Sequence, residues 1–206
     1  MHALIVLAHP DPGSFTHGVV AAVASGVTEA DGSDSFEIAD LAAEGFDPRF
    51  TPVDLAAHLR NAPPPADVAA EQARIDRADA LVLVYPVYWW SMPGLLKGWI
   101  DRVFANGWAY DYREGPDARL AKRLHRLRVH LVAVGGADQR TYARHGYFGA
   151  MKTQIDHGIF DYCGARVATS ELLLHSDARD RAMQLDSARA IGRGVFAAVR
   201  RGAEAA

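Results

Sequence analysis

The chain has 206 residues, 50% of them hydrophobic and 23% charged, which is enough for one sizeable core and a single domain over residues 1–206. A formal net charge of −3, with no long run among the 22 Lys and Arg, leaves no basic footprint for nucleic acid. One cysteine, Cys163, no signal-peptide pattern and no apolar run near the roughly 20 residues that span a bilayer point to a reducing cytoplasm.

His2 to Ala8 reads as a first buried strand, and it ends in His9-Pro10-Asp11-Pro12-Gly13-Ser14-Phe15-Thr16 ahead of a helix rich in Ala and Val. A loop feeding a helix N-terminus presents unpaired N–H groups and the positive end of the dipole. It is therefore a ready anion site, to which Ser14, Thr16 and His9 add donors. The bland alternative for Ser14 or Thr16 is an ordinary N-cap. Neither G-x-x-x-x-G-K-[ST] nor G-x-G-x-x-G occurs here, so neither a Walker site nor a Rossmann fingerprint is supported.

Ser35 to Asp40 reads as a second strand, followed by a proline-bearing stretch from Leu41 to Ala66 with a short helix around Asp54 to Arg60. Val68 to Asp76 is helical and leads into Ala80 to Tyr85, a wholly apolar run suited to a strand buried on both faces. Pro86 should stop that strand, so the chain turns where Val87, Tyr88, Trp89 and Trp90 arrive, and Pro93 opens an amphipathic helix. Aromatic rings at the carboxyl end of a central strand suit a planar heteroaromatic ligand, since open α/β sheets bind there. They could equally pack beneath the helix.

The ring-rich loop Asn106 to Tyr112 and the turn Arg113-Glu114-Gly115-Pro116 come next. Val129 to Val134 is a fourth strand ending in Gly135-Gly136, where backbone can approach a ligand closely. Tyr142 and His145 lie in the loop beyond it. Gly146 to Phe160 is predicted as a helix, Arg166 to Leu174 as a fifth strand and Asp177 to Arg200 as a terminal helix. Strands alternating with helices give an α/β fold with a doubly wound parallel sheet. No metal site is expected.

Four pieces carry a resemblance: ALIVLAHPDPGSF, YPVYWWSMPGLLKGWIDRVF with its WAYDY extension, VGG before Tyr142 and His145, and IFDYCG. The chain resembles the flavodoxin-like NAD(P)H dehydrogenase (quinone) family, which includes quinone reductases, modulator-of-drug-activity proteins and ancillary oxidoreductases of potassium-efflux systems. The resemblance implies a flavodoxin-like sheet of five strands in the order 2-1-3-4-5, a bound flavin (FAD favoured over FMN), and a homodimer with its sites at the interface. It further implies that His9, Ser14, Phe15 and Thr16 hold the flavin pyrophosphate or phosphate region. On the same basis Pro86, Val87, Tyr88, Trp89 and Trp90 flank the isoalloxazine, and Gly135 and Gly136 approach its ring edge. Tyr110 and Tyr112 would reach across the dimer to line the partner's substrate slot, with Tyr162 at the rim.

Tyr142 and His145 match the pair that stabilises charge as hydride arrives, with Tyr147 a competing phenol. The implied activity is ping-pong hydride transfer from NADH or NADPH through the flavin to a quinone or similar flat acceptor. Three alternatives stay open: an electron-transfer flavodoxin, a flavin-binding regulatory subunit docked on a potassium-efflux transporter at the inner membrane face, and an azo or nitro reductase.

Overall fold

The computed structural model describes residues 1–113, 115, 118–174 and 178–204. Strands β1 (His2–Leu7), β2 (Ser35–Asp40), β3 (Ala80–Pro86), β6 (Arg128–Gly135) and β7 (Arg166–Leu174) form one parallel sheet in the order β2-β1-β3-β6-β7. Two two-residue strands, β4 (Tyr110–Asp111) and β5 (Ala121–Lys122), pair antiparallel beside it. Counting only the main sheet, the order is the expected 2-1-3-4-5. The switch between β1 and β3 is where such sheets bind ligands.

Every residue of β3 is buried, as its uninterrupted apolar run requires, because helices cover both faces. One face packs beneath α1 (Phe15–Ala30) and α7 (Ala178–Gly194), through Ile5, Val82, Val84 and Val132 against Val19, Val23 and Ala188. The other carries Leu4, Leu83 and Leu131 beneath α4 (Gly94–Val103), where Leu96, Trp99, Ile100 and Val103 are buried at helical spacing. Helices α1 and α7 touch backbone to backbone: a Cβ at Gly26 would lie 2.1 Å from the Arg189 carbonyl oxygen, and one at Gly192 would lie 2.1 Å from that of Val23.

The proline-bearing stretch after β2 is held by an ion cluster around the buried Arg102. Helix α2 (Pro52–His58) starts with a capping box between Thr51 and Asp54, and α3 (Ala66–Arg77) follows. Arg102 of α4 donates Nε to Asp54 Oδ1 at 2.9 Å, Nη1 to Asp67 Oδ2 at 2.7 Å and Nη1 to the Asp47 carbonyl at 2.8 Å. Arg102 and Asp54 are both buried, so one guanidinium ties three parts of this segment to the central helix.

β3 ends at Pro86 as expected, with one further bond from Val87 N to the Val134 carbonyl at 2.8 Å. Because alternate N–H groups face alternate sides, the missing one of Pro86 faces β1, which has already parted from β3 at Val84. Three expectations are corrected. The loop expected at Tyr142 and His145 is helix α5 (Gln139–His145), N-capped by Asp138, which accepts from Thr141 N at 2.8 Å, and stopped by Gly146 at φ +71°. The single helix expected from Gly146 to Phe160 is α6 (Tyr147–Met151) running into a π-helix, Lys152–Asp161. Ile155 and Phe160, five apart and both buried, suit i→i+5 bonding, and Tyr162 N donates to the His157 carbonyl. The terminal helix breaks at Val195 and Phe196 into α7 and α8 (Ala197–Glu204). Its expected start, Asp177, and the turn residues Glu114 and Pro116 lie outside the described residues.

The break between α7 and α8 has a partner in the sheet. His130 of β6, 3% exposed, has Nε2 at 3.0 Å from the Val195 carbonyl and Nδ1 at 2.8 Å from Thr169 Oγ1. A carbonyl can only accept, so Nε2 carries the proton and Nδ1 accepts from the threonine hydroxyl. Burial holds this imidazole down to a pKa of about 4.

Candidate active site

Three loops leave the carboxyl ends of β1, β3 and β6, which are neighbours in the sheet, and these loops hold most of the expected site residues. The first is folded by its own acid: Asp11 Oδ1 accepts from Gly13 N at 2.9 Å, and Ser14 N donates to the Asp11 carbonyl at 3.1 Å. His9 Nδ1 accepts from Asp11 N at 3.1 Å, so in the neutral ring Nε2 carries the proton and remains as a donor. Ser14 is the N-cap of α1, accepting from His17 N. Thr16 is buried in the first turn, and Phe15 lies beneath the guanidinium of Arg181, 5.8 Å from its ring centroid.

The second loop is strained. Tyr88 N donates to the Ser91 carbonyl and Ser91 N to that of Tyr88, both at 3.1 Å, leaving Trp89 and Trp90 as the two central residues of a tight turn. Both have positive φ, +50° and +61°. That is a type I′ geometry, which Asn-Gly fills without penalty and two tryptophans do not. Left-handed backbone costs an L-residue roughly 1–2 kcal/mol. Packing does not explain the strain at Trp89, whose side chain is 93% exposed. Trp90 turns inward and stacks on Tyr147, with centroids 3.8 Å apart and planes 10° apart, and meets Tyr142 edge-on at 5.3 Å.

At the end of β6 the two glycines differ. A Cβ at Gly135 would lie 2.6 Å from the Tyr142 hydroxyl and 2.7 Å from Leu174 Cδ2, so this glycine makes room for the phenol, whereas a Cβ at Gly136 would meet nothing within 4 Å. Tyr142 is buried, and burial pushes its hydroxyl above the ordinary tyrosine range, which keeps it a proton donor at neutral pH. Its hydroxyl has no hydrogen-bond partner among the described residues. His145, one helical turn on, is exposed and stacks on Tyr147 at 5.4 Å, so Tyr147 lies between Trp90 and His145 while Tyr142 lies between Trp90 and Gly135.

The remaining expected residues form a separate group. Tyr110 on β4 meets Tyr162, just past the π-helix, edge-on at 5.3 Å. Tyr112 is fixed through its backbone to Asn106, by bonds of 3.0 and 2.8 Å, and borders a cavity of about 540 Å³ with His58 and Arg60. Among the described residues no ring contact joins these three tyrosines to the Trp90 group. Tyr112 and Tyr162 are exposed.

Several residues were not singled out from sequence. Ser91 Oγ donates to Gln154 Oε1, tying the turn to the π-helix. Asp156 lies on the same helix and accepts from Ser170 Oγ at 3.2 Å; burial raises its carboxyl above the usual range. Burial also raises the Tyr85 phenol, with the Asp156 charge adding to the effect. His17 and Asp40 join the first loop: Ser14 Oγ is 2.8 Å from His17 Nδ1, and His17 Nε2 is 3.1 Å from Asp40 Oδ2. A histidine three residues after an N-cap serine was a readable signal; its link to the end of β2 was not. No cluster of three His, Cys, Asp or Glu among the described residues could hold a metal ion. No described helix is long and apolar enough to cross a membrane.

The arrangement offers an anion site at a helix N-terminus, an exposed indole on a strained turn, an open glycine and a buried phenol at neighbouring strand ends. A flat ligand with a phosphate tail fits this set. The family described as having a flavodoxin-like fold matches residues 1–191. The chain is 30% identical over 188 residues to ribosyldihydronicotinamide dehydrogenase [quinone] of Pongo abelii, covering 82% of this chain and 79% of that one. It is 30% identical over 191 residues to NAD(P)H dehydrogenase [quinone] 1 of Cavia porcellus, covering 82% and 67%. Among solved structures, the NAD(P)H:quinone oxidoreductase from Methanothermobacter marburgensis superposes with a TM-score of 0.83 at 29% identity, over 94% of this chain and 96% of that one. The chain belongs to the flavodoxin-like NAD(P)H dehydrogenase (quinone) family.

Proposed function

We propose that the chain is a flavin-dependent NAD(P)H:quinone oxidoreductase, with FAD rather than FMN as its cofactor and a quinone or similar flat compound as acceptor. The observation that carries this reading is the Trp89–Trp90 turn. Left-handed strain on an almost wholly exposed indole, with an open glycine at the end of the neighbouring strand, has no use in packing and a clear one in flanking a planar ring. When bound, the flavin supplies a two-electron relay between the nicotinamide and the acceptor.

The chain's own residues bind, orient and stabilise. His9 Nε2, the Ser14 hydroxyl and the N-terminus of α1 hold the phosphate region. Pro86 to Trp90 flank the ring. The Tyr142 hydroxyl, beside Gly135, would donate a hydrogen bond to charge on the bound group, and the exposed His145 would supply a proton from the solvent side. In this reading the chain is a homodimer, and Tyr110 and Tyr162, which meet edge-on at 5.3 Å, close the partner's slot together with the exposed Tyr112. One slot serving donor and acceptor in turn gives ping-pong kinetics. Initial rates with NADH or NADPH varied against menadione test this: parallel double-reciprocal lines are expected, and intersecting lines would overturn the shared slot.

A further inference from the structure

We infer that His17 and Asp40 are positioning residues which couple anion binding at the first loop to uptake of a proton. The inference rests on the flavin reading for its ligand and on hydrogen-bond bookkeeping for everything else. Asp40 ends β2, and its Oδ1 accepts from the backbone N–H groups of Ala42 and Ala43, at 3.2 and 3.1 Å. Its other oxygen, Oδ2, is 3.1 Å from His17 Nε2. A carboxylate only accepts, so His17 carries a proton on Nε2. In the neutral ring Nδ1 is then a bare lone pair.

That lone pair lies 2.8 Å from Ser14 Oγ, so the serine hydroxyl must give its single proton to His17. Ser14 Oγ already accepts from His17 N at 3.3 Å. With neutral His17, Ser14 therefore turns only a lone pair toward an incoming phosphate oxygen, which repels. Protonation reverses this: Nδ1–H donates to Ser14 Oγ, the hydroxyl proton is released toward the ligand, and a positive charge sits one residue behind it. The other ionisable groups of this loop have partners of their own: His9, edge-on to the His17 ring at 6.1 Å, accepts from Asp11 N, Asp11 accepts from Gly13 N, and Arg181 from α7 lies over Phe15.

The test uses apoprotein and FAD, whose pyrophosphate lacks the second ionisation near pH 6 of a phosphomonoester such as FMN. Affinity is read by flavin fluorescence, and proton uptake by calorimetry in buffers of different ionisation heat. The wild type is expected to take up a proton on binding and to lose affinity by up to tenfold per pH unit on the alkaline side. H17F should bind weakly with a flat profile. D40N separates positioning from mere structure. In that variant the backbone N–H groups of Ala42 and Ala43 hold the carboxamide oxygen in the Oδ1 place, which leaves the amide N–H facing Nε2. Neutral His17 then keeps its proton on Nδ1 and donates to Ser14, so D40N should bind FAD more tightly than wild type at alkaline pH, with the slope lost. A flat wild-type profile, or a wild-type slope retained in H17F or D40N, overturns the inference while leaving the flavin reading intact. Failure of the wild type to bind FAD at any pH overturns both.

Discussion

Replacing Trp89 by glycine should make the ligand-free protein no less stable while weakening it as a flavin protein. Trp89 is 93% exposed and has φ +50°, so the substitution removes little packing and relieves a left-handed residue. Relief is worth roughly 1–2 kcal/mol. Glycine's larger backbone freedom in the unfolded chain takes back about 0.5–1 kcal/mol. The net expectation is a stabilisation of about 0.5–1 kcal/mol, seen as a higher urea midpoint with an unchanged m-value. FAD affinity should fall about tenfold or more, the loss of one aromatic face worth roughly 1–3 kcal/mol in stacking. Destabilisation of the apoprotein by W89G, or undiminished FAD affinity, would refute the claim that the turn holds strain for a ligand.

Other expectations follow from single groups. R102A leaves Asp54 buried without its cation and should lower the free energy of unfolding by about 3–5 kcal/mol in urea titrations, well beyond the effect of a surface arginine. His130, held at a pKa of about 4, is neutral in the fold and protonated first in the unfolded chain. Its contribution is therefore complete above the unfolded value near 6.5 and lost as pH falls from there to about 4, a loss of about 3 kcal/mol that H130Q should remove from the acid limb of the stability profile. G135A drives a methyl group into the Tyr142 hydroxyl and should cost about 1–3 kcal/mol of stability by overpacking, together with a slower flavin reduction in stopped flow. Y142F should slow flavin reduction by about 10²-fold while Y147F changes it little; the reverse order would assign the phenol to Tyr147.

Much of this molecule is readable along the chain where local pattern and tertiary role coincide. The apolar run Ala80 to Tyr85 suits a strand covered on both faces, and the rings after Pro86 fall at its carboxyl end for that reason. Helix α5 is equally legible in principle, since Asp138 three residues before Thr141 and Gly146 after His145 are ordinary start and stop signals. The segment is only seven residues long, however, and with Tyr142 as its one buried residue it carries no apolar periodicity to set against a loop. The π-helix and the α7–α8 break depend on partners far away in sequence, Ile155 and Phe160 settling into the core and His130 capturing the Val195 carbonyl, so no local periodicity announces them. His17 and Asp40 are 23 residues apart and meet only because β1 pairs with β2. The type I′ strain at Trp89 and Trp90 is hidden for the opposite reason: propensity argues against it, and such disagreements gather at functional sites.

Reconstitution of the apoprotein with FAD, followed by anaerobic titration with NADH and NADPH, decides whether the chain is a flavin reductase. The expected result is a bound chromophore with the oxidised-flavin absorption band, bleached by one equivalent of reduced nicotinamide per flavin without a semiquinone signal and restored by menadione. A protein that binds no flavin, or binds it and is not reduced by either nicotinamide, would overturn the reductase reading and turn the Trp89–Trp90 loop into a partner surface.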